Sequence, residues 1–463
     1  MTKDFGHNVN SGRYLAQLVL DRIEQDNAYA NLVLPKILNE SGPDLERREK
    51  ALATELVYGT LRHLLKIDYI LGRLLSRPFA TLKTPVKSVL RLALYQLLFL
   101  PDIPARAVCH SAVEQIKHSQ YSGLAPLVNG VLRSYLRNQN GIKFPDPVSK
   151  PAENLSLEHS HPLWLVKRWL AGFGPEVAGR ILQAGNEPPP LTWRVNRRLT
   201  NAVEVMAELA QQEVQSRPGL FLEEAILVEN LGESVEKLPL FQSGRIFIQD
   251  ESAMLVAHLV DPKPGEFIVD LCAAPGGKST HLAELMNDQG EIISVDNHPH
   301  KINLIGDNAE RLNLTIIKPV LGDARSFSLT EGRLADAVLV DAPCSGTGVL
   351  RRRVDARYRR RPEDIRELAA IQQAILDQAA AAVKPGGRLV YSTCTLEPEE
   401  NQEQIQSFLE RHPEFELTDF RAFLPEKIIQ YAYAPDSKWL TILPIPGGGD
   451  GFFMGRLIKR RQS

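Results

Sequence analysis

Apolar residues recur at helical spacing through roughly the first 140 positions. Beyond that they fall into short runs of four to seven, interleaved with helical patterns. Near the N-terminus Leu15, Leu18, Val19 and Ile23 share one helix face, and Ser11 can cap that helix by accepting from a first-turn N–H. The pattern over 44–77 predicts a long helix broken near Gly59 and Gly72. Val86–Leu100, Ala105–Lys117 and Leu124–Leu136 follow, separated by Pro101, Pro104 and Gly123. Connections this short imply a compact helical bundle over residues 1–145. The Pro-rich polar stretch Phe144-Pro-Asp-Pro-Val-Ser-Lys-Pro-Ala-Glu-Asn-Leu-Ser156 reads as a linker.

Residues 155–245 read as a small α/β module. Helices are expected at Leu163–Ala171, Glu176–Ala184 and Ala202–Glu213, and strands at Leu191–Val195, Ala225–Val228 and Arg245–Ile248. Residues 246–463 form the third part. Strands at Phe267–Leu271, Glu291–Val295, Thr315–Leu321, Ala335–Val340 and Arg388–Ser392 alternate with helices near 281–286, 300–312 and 363–383. That alternation predicts a largely parallel sheet covered on both faces. At the C-terminus, Lys438–Leu443 and Phe452–Ile458 flank a Gly447-Gly-Gly-Asp-Gly451 turn and predict an antiparallel hairpin.

Composition narrows the picture in three ways. No apolar run approaches the roughly 20 residues of a membrane span, and Met1–Asn8 lacks a signal-peptide core, so no membrane partner is expected. Cys109, Cys272, Cys344 and Cys394 lie far apart with no Cys-x-x-Cys pair, so neither a disulfide framework nor a metal is expected, and a reducing cytoplasm fits. Net charge is −2, yet residues 51–150 hold 13 Lys/Arg against 5 Asp/Glu. A second concentration lies at 351–361, with seven arginines and one aspartate. Within it Arg351, Arg352, Arg353, Arg359, Arg360 and Arg361 are expected to contact nucleic-acid phosphates.

Candidate chemistry clusters in the third part. Asp270-Leu-Cys-Ala-Ala-Pro-Gly-Gly-Lys-Ser279 reads as a strand entering a glycine turn and then a helix, a place where backbone N–H groups can approach a ligand. A P-loop is excluded because Cys272 stands where that motif needs glycine, and the dinucleotide glycine spacing is absent too. Asp296, after the next strand, can accept from ribose hydroxyls, and Asp323, after the third, can meet an adenine amino group. Two thiols, Cys344 in Asp341-Ala-Pro-Cys-Ser-Gly-Thr-Gly348 and Cys394 in Ser392-Thr-Cys-Thr395, follow strand-like runs. A nucleotide-like site beside two thiols suggests methyl transfer to a weakly nucleophilic carbon, such as pyrimidine C5, which needs a covalent nucleophile to activate it.

These three motifs resemble those of the Nop/Sun family of RNA cytosine-C5 methyltransferases. Ala53–Arg62, Leu90–Leu98 and Val128–Arg133 resemble a NusB-like RNA-binding domain, and the combination is similar to bacterial 16S rRNA methyltransferases over nearly the whole chain. The resemblance implies a multidomain protein: a NusB-like all-α bundle, a small RNA-recognition-like α/β module and a Rossmann-like catalytic domain. It implies S-adenosylmethionine as cofactor, held by Cys272, Ala273, Ala274, Pro275, Gly276, Gly277, Lys278, Asp296, Asp323 and Asp341. It implies Cys394 as nucleophile, with Cys344, Asp341 and Lys278 completing the catalytic set, and a monomer acting on 16S rRNA at cytosine 967. A tRNA substrate, Cys344 as nucleophile, and a non-catalytic antitermination-type factor are the alternatives. One departure stands out: where the family commonly has Arg-Arg-His-Pro-Asp, this chain has Arg351-Arg-Arg-Val-Asp355.

Overall fold

The computed structural model describes residues 11–42, 45–229, 231, 232, 234–329 and 332–461. The polar N-terminus Met1–Asn8 lies outside the described residues. Two compact units are present. The first comprises residues 1–186 together with Arg353–Arg359, and the second comprises Glu187–Arg352 and Arg360–Ser463.

The first unit is helical: α1 (Gly12–Gln25), α2 (Ala30–Glu40), α3 (Arg47–Arg62), α4 (Leu64–Leu74), α5 (Thr84–Phe99), α6 (Ala105–Lys117), α7 (Ala125–Asn138), α8 (Pro151–Glu158) and α9 (Leu163–Ala184). Ser11 caps α1 as expected, its side chain accepting from Tyr14 N. The apolar faces of α1, α3, α5 and α7 meet in one core through Leu15, Val19, Leu56, Val57, Leu90, Leu94, Val128 and Leu132. The break expected at Gly59 and Gly72 falls instead at His63, between α3 and α4. Gly59 is a packing residue, not a breaker: a Cβ there would lie 2.0 Å from the Tyr95 ring. The Pro-rich stretch is only partly linker, since Pro151 opens α8 at a position where its missing N–H costs nothing.

In the second unit the small module is a four-stranded antiparallel sheet in the order β2-β3-β1-β4, from β1 (Leu191–Val195), β2 (Gln215–Pro218), β3 (Ala225–Glu229) and β4 (Ile246–Ile248). Two helices, α10 (Ala202–Gln211) and the short α11 (Pro239–Gln242), accompany it. Its core is Trp193, Val195, Val205, Leu209, Ile226 and Ile246.

The larger sheet has the order β10-β12-β9-β8-β5-β6-β7, with β11 also paired to β12. Its strands are β5 (Phe267–Asp270), β6 (Glu291–Asp296), β7 (Ile317–Leu321), β8 (Ala335–Asp341), β9 (Val383–Thr393), β10 (Phe415–Thr418), β11 (Leu440–Ile442) and β12 (Phe452–Lys459). β7-β6-β5-β8-β9 pair in parallel, whereas β12 runs antiparallel to β9, β10 and β11, so the C-terminal hairpin closes the sheet as the glycine turn predicts. The helices are α12 (Glu251–Val260), α13 (Gly277–Leu285), α14 (Pro299–Arg311), α15 (Pro362–Ala382) and α16 (Gln402–Arg411). Apolar clusters on both faces of the sheet make it a Rossmann-like, doubly covered layer. Such sheets place ligands at the carboxyl ends of their strands.

Candidate active site

Asp270, Asp296 and Asp341 close β5, β6 and β8, so neighbouring parallel strands deliver three carboxylates to one edge of the sheet. After β5 the chain turns through Gly276, whose φ of +99° suits glycine, and whose added Cβ would lie 3.3 Å from Ile305 Cα. α13 starts at the next residue. A cleft of about 200 Å³ opens there. Of the expected ligand-binding residues, Cys272, Ala273, Ala274, Pro275, Gly277, Lys278 and Asp341 line it, joined by Asp270 and, from the small module, Phe247 and Gln249.

Charge is tightly arranged around the cleft. Lys278 Nζ donates to Asp341 Oδ2 at 2.6 Å, and Ser392 Oγ donates to Asp341 Oδ1 at 2.9 Å. Burial lowers the Lys278 pKa, but the Asp341 carboxylate more than offsets it, and the ammonium ends above its usual value. Asp270 is fully buried and accepts from Ser279 Oγ at 2.6 Å; burial raises its carboxyl to about 7. Burial also pushes the Cys272 thiol well up. Asp296 and Asp323 are not cleft-lining residues. Asp296 is buried at the end of β6 with Lys301 Nζ and His298 Nδ1 each 3.5 Å away. Asp323 lies two residues past β7, clasped by Arg325, whose hydrogen bonds lower its pKa.

The two thiols meet. Asp341 on β8 is in register with Ser392 on β9, so Cys344 and Cys394, a few residues beyond, emerge side by side. Their sulfurs are 3.3 Å apart. Hydrogen bonding to Cys394, then burial, pushes the Cys344 thiol well up, so it stays protonated.

The arginine run is not a solvated phosphate ladder. Arg351 is buried, its guanidinium bound by Asp450 and the carbonyls of Ile445 and Gly448, which corrects the expectation that it meets RNA. Arg352 binds Asp250 and Asp450. Arg359 donates to the carbonyls of Asn27 and Ala28, and Arg360 to those of Ser345 and Cys344, bracing the thiol turn. Arg361 caps α15, and only it and Arg353 of the six are exposed. At the departing position, Val354 is fully buried in the helical unit's core.

Sequence reasoning gave Arg194, Glu284, Glu400 and Asp450 no role. Arg194 is fully buried, donating to both Glu284 oxygens, Thr280 Oγ1 and the Gly277 carbonyl, so the small module grips α13 just behind the cleft. The available signal was a charged residue inside an apolar strand, since buried charge is rarely unpaired.

Among the described residues, Glu224, His258 and His281 bring three possible metal-ligand atoms within 4.8 Å. Glu224 Oε1 already lies near both imidazoles, and Arg197 sits 3.9 Å from its other oxygen. Burial first, then Arg194, lowers His281 to about 3, and its buried Nδ1 lacks the acceptor that a metal-bound imidazole normally uses. The group therefore reads as a hydrogen-bonded triad.

Residues 257–458 match the family described as 16S rRNA methyltransferase RsmB/F, 10–137 match the NusB family, and 161–233 match the RsmF/B-like ferredoxin-like domain. The probable ribosomal RNA small subunit methyltransferase B of Bacillus subtilis (strain 168) is 42% identical over 452 residues, covering 97% of this chain and 99% of its own. The ribosomal RNA small subunit methyltransferase B of Sodalis glossinidius is 38% identical, covering 90% and 92%. The crystal structure of PH0851 is 27% identical with a TM-score of 0.81, covering 99% of this chain and 100% of that one. Among the described residues no helix is long and apolar enough to cross a membrane. The chain thus belongs to the 16S rRNA methyltransferase RsmB/F family, in a form that joins a NusB-type helical domain and a ferredoxin-like module to the catalytic sheet.

Proposed function

We propose that this protein methylates C5 of a cytosine in 16S rRNA, cytosine 967 by the resemblance, through a covalent Cys394–C6 adduct and with S-adenosylmethionine as methyl donor. The observation that carries the reading is the 3.3 Å approach of Cys344 and Cys394 beside the Lys278–Asp341 pair.

The residues at the cleft fit the donor. Asp296 and Asp341 at the strand ends suit a ligand with cationic amino and sulfonium groups, and the Gly276 turn leaves room for close approach. Asp296 would hold the ribose hydroxyls and Asp323 the adenine amino group. When bound, S-adenosylmethionine supplies an electrophilic methyl group.

The target base must leave its stack to reach the thiols. Cys394 thiolate adds to C6, and the electron pair of the C5=C6 bond moves to C5, which becomes enamine-like; that carbon would take the donor's methyl group as the bond from methyl to the sulfonium sulfur breaks and its pair stays on sulfur as a neutral thioether. Asp341, oriented by Lys278 and Ser392, accepts from the exocyclic amino group of the base. Loss of the C5 proton to a base restores the C5=C6 bond and expels Cys394. Cys344 acts at this step: its thiol hydrogen-bonds the departing sulfur and stabilises the thiolate as it forms. Bisulfite mapping of total RNA from cells with and without the gene tests the reading. Loss of one 5-methylcytosine in 16S rRNA is expected, and an unchanged 16S map sinks it.

A further inference from the structure

Glu400 sits in the short turn after the Cys394 strand end and is 0% exposed. Its Oε1 accepts from Ser345 N at 2.8 Å and Gln372 Nε2 at 3.0 Å; its Oε2 accepts from Ser345 Oγ and from Thr395 Oγ1 at 3.1 Å. Ser345 directly follows Cys344, and Thr395 directly follows Cys394. The two hydroxyls lie 2.7 Å apart with one proton each to share between that contact and the carboxylate, Thr347 Oγ1 lies 2.9 Å from Thr395 Oγ1, and Gly348 N donates to the Cys394 carbonyl at 3.0 Å. One buried carboxylate therefore sits at the centre of a seam joining both thiol-bearing turns. A buried carboxylate is a costly way to fill a core, and an apolar side chain would serve packing alone.

We propose that Glu400 is a positioning residue that holds Cys344 and Cys394 in register, acting through Ser345 and Thr395 without touching the base. This rests on the reading that both thiols serve one base. Glutamine can replace the clamp: its oxygen can face Ser345 N and Gln372, and its amide nitrogen can donate to the two hydroxyls, which also accept. Alanine cannot.

Diamide oxidation of the resting protein reads the register without RNA or cofactor: the two S–H bonds break, an S–S bond forms, and the reagent takes both hydrogens. Peptide mass mapping follows the Cys344–Cys394 link. The parent and Glu400→Gln should close at similar rates and Glu400→Ala roughly tenfold slower or more, because the second thiol loses effective concentration. With 16S rRNA fragments, Glu400→Ala should also retain a larger fraction as denaturant-resistant adduct, while Glu400→Gln restores the parental fraction. Should Glu400→Ala not fold, the Ser345→Ala/Thr395→Val double variant takes its place with the same expectations. Parental closure rate and parental adduct fraction in the variant without the clamp overturn the proposal. Altered closure in a protein that methylates no RNA upholds the clamp and removes only the functional reading.

Discussion

Arg194, on the first strand of the small module, donates to both carboxylate oxygens of Glu284 on α13, at 3.2 and 2.8 Å, with neither side chain meaningfully exposed. Breaking one side of a buried pair leaves an uncompensated charge, which costs roughly 3–5 kcal/mol. Arg194→Ala should lower stability by that order, and Arg194→Met with Glu284→Gln should recover much of it. Urea unfolding of the parent and the two variants checks this; equal losses in the single and double variants would show that the pair is not the source.

The two thiols separate by adduct trapping. Cys394→Ala should bind RNA yet form no covalent adduct, because the atom that adds to C6 is gone. Cys344→Ala should accumulate a denaturant-resistant protein–RNA adduct, because release is slowed after addition. Loss of turnover alone is uninformative for residues that act as a unit. An adduct that persists in Cys394→Ala and vanishes in Cys344→Ala reverses the roles.

Asp296→Ala should weaken S-adenosylmethionine binding by roughly 1.5–3 kcal/mol per lost charge-assisted hydrogen bond. Calorimetry on the folded variant measures it, and unchanged affinity withdraws the ribose assignment.

Asp270 has a native pKa of about 7, raised by burial above its ordinary 3.8. The native state therefore holds a proton that the unfolded chain releases between those values. The stabilising effect is full below about 4 and is lost as pH rises through 7. Asp270→Asn does not titrate, so its stability relative to the parent should climb across that window by on the order of 2–4 kcal/mol. Urea midpoints at pH 5 and 8 test the sign.

Arg353 and Arg361, the exposed members of the arginine run, should each reduce the salt dependence of RNA affinity when changed to alanine, by about one unit of slope per lost phosphate contact. Arg351→Ala should instead lower stability, since its guanidinium ties the thiol-bearing chain to Asp450. A flattened salt slope with intact stability in Arg351→Ala would contradict this division.

Much of the fold was legible because the apolar periodicity is clean where one face is buried. The strands that end at Asp270, Asp296 and Asp341 match their expected positions within a residue or two. α12 gave no helical period because it is buried nearly all round, from Met254 to Val260. β2 is polar and lies at an edge of the four-stranded sheet, and β10 is short and lies at an edge of the larger sheet, so neither shows a strong alternation. The cleft was readable because glycine turns and strand-end aspartates are local signals. The arginine run misled because composition reports charge, not the partner that takes it up. Arg351 meets Asp450 across 99 positions, and Glu400 meets Ser345 across 55, separations that no spacing argument reaches.

The excursion of Arg353–Arg359 changes what can be cut from this protein. Val354 fills the helical core, and Arg357 is wholly buried, donating to the carbonyls of Arg62, Ser160 and Gly185. The backbone thus passes between the two units three times: at 186/187, at 352/353 and at 359/360. A catalytic fragment begun at residue 187 would carry a seven-residue piece that packs within the helical unit, with an apolar side chain and a guanidinium stripped of their surroundings in a segment that begins nine residues beyond Cys344. The helical part is therefore not a detachable adaptor threaded onto an autonomous enzyme: severing the first crossing leaves the other two without a destination.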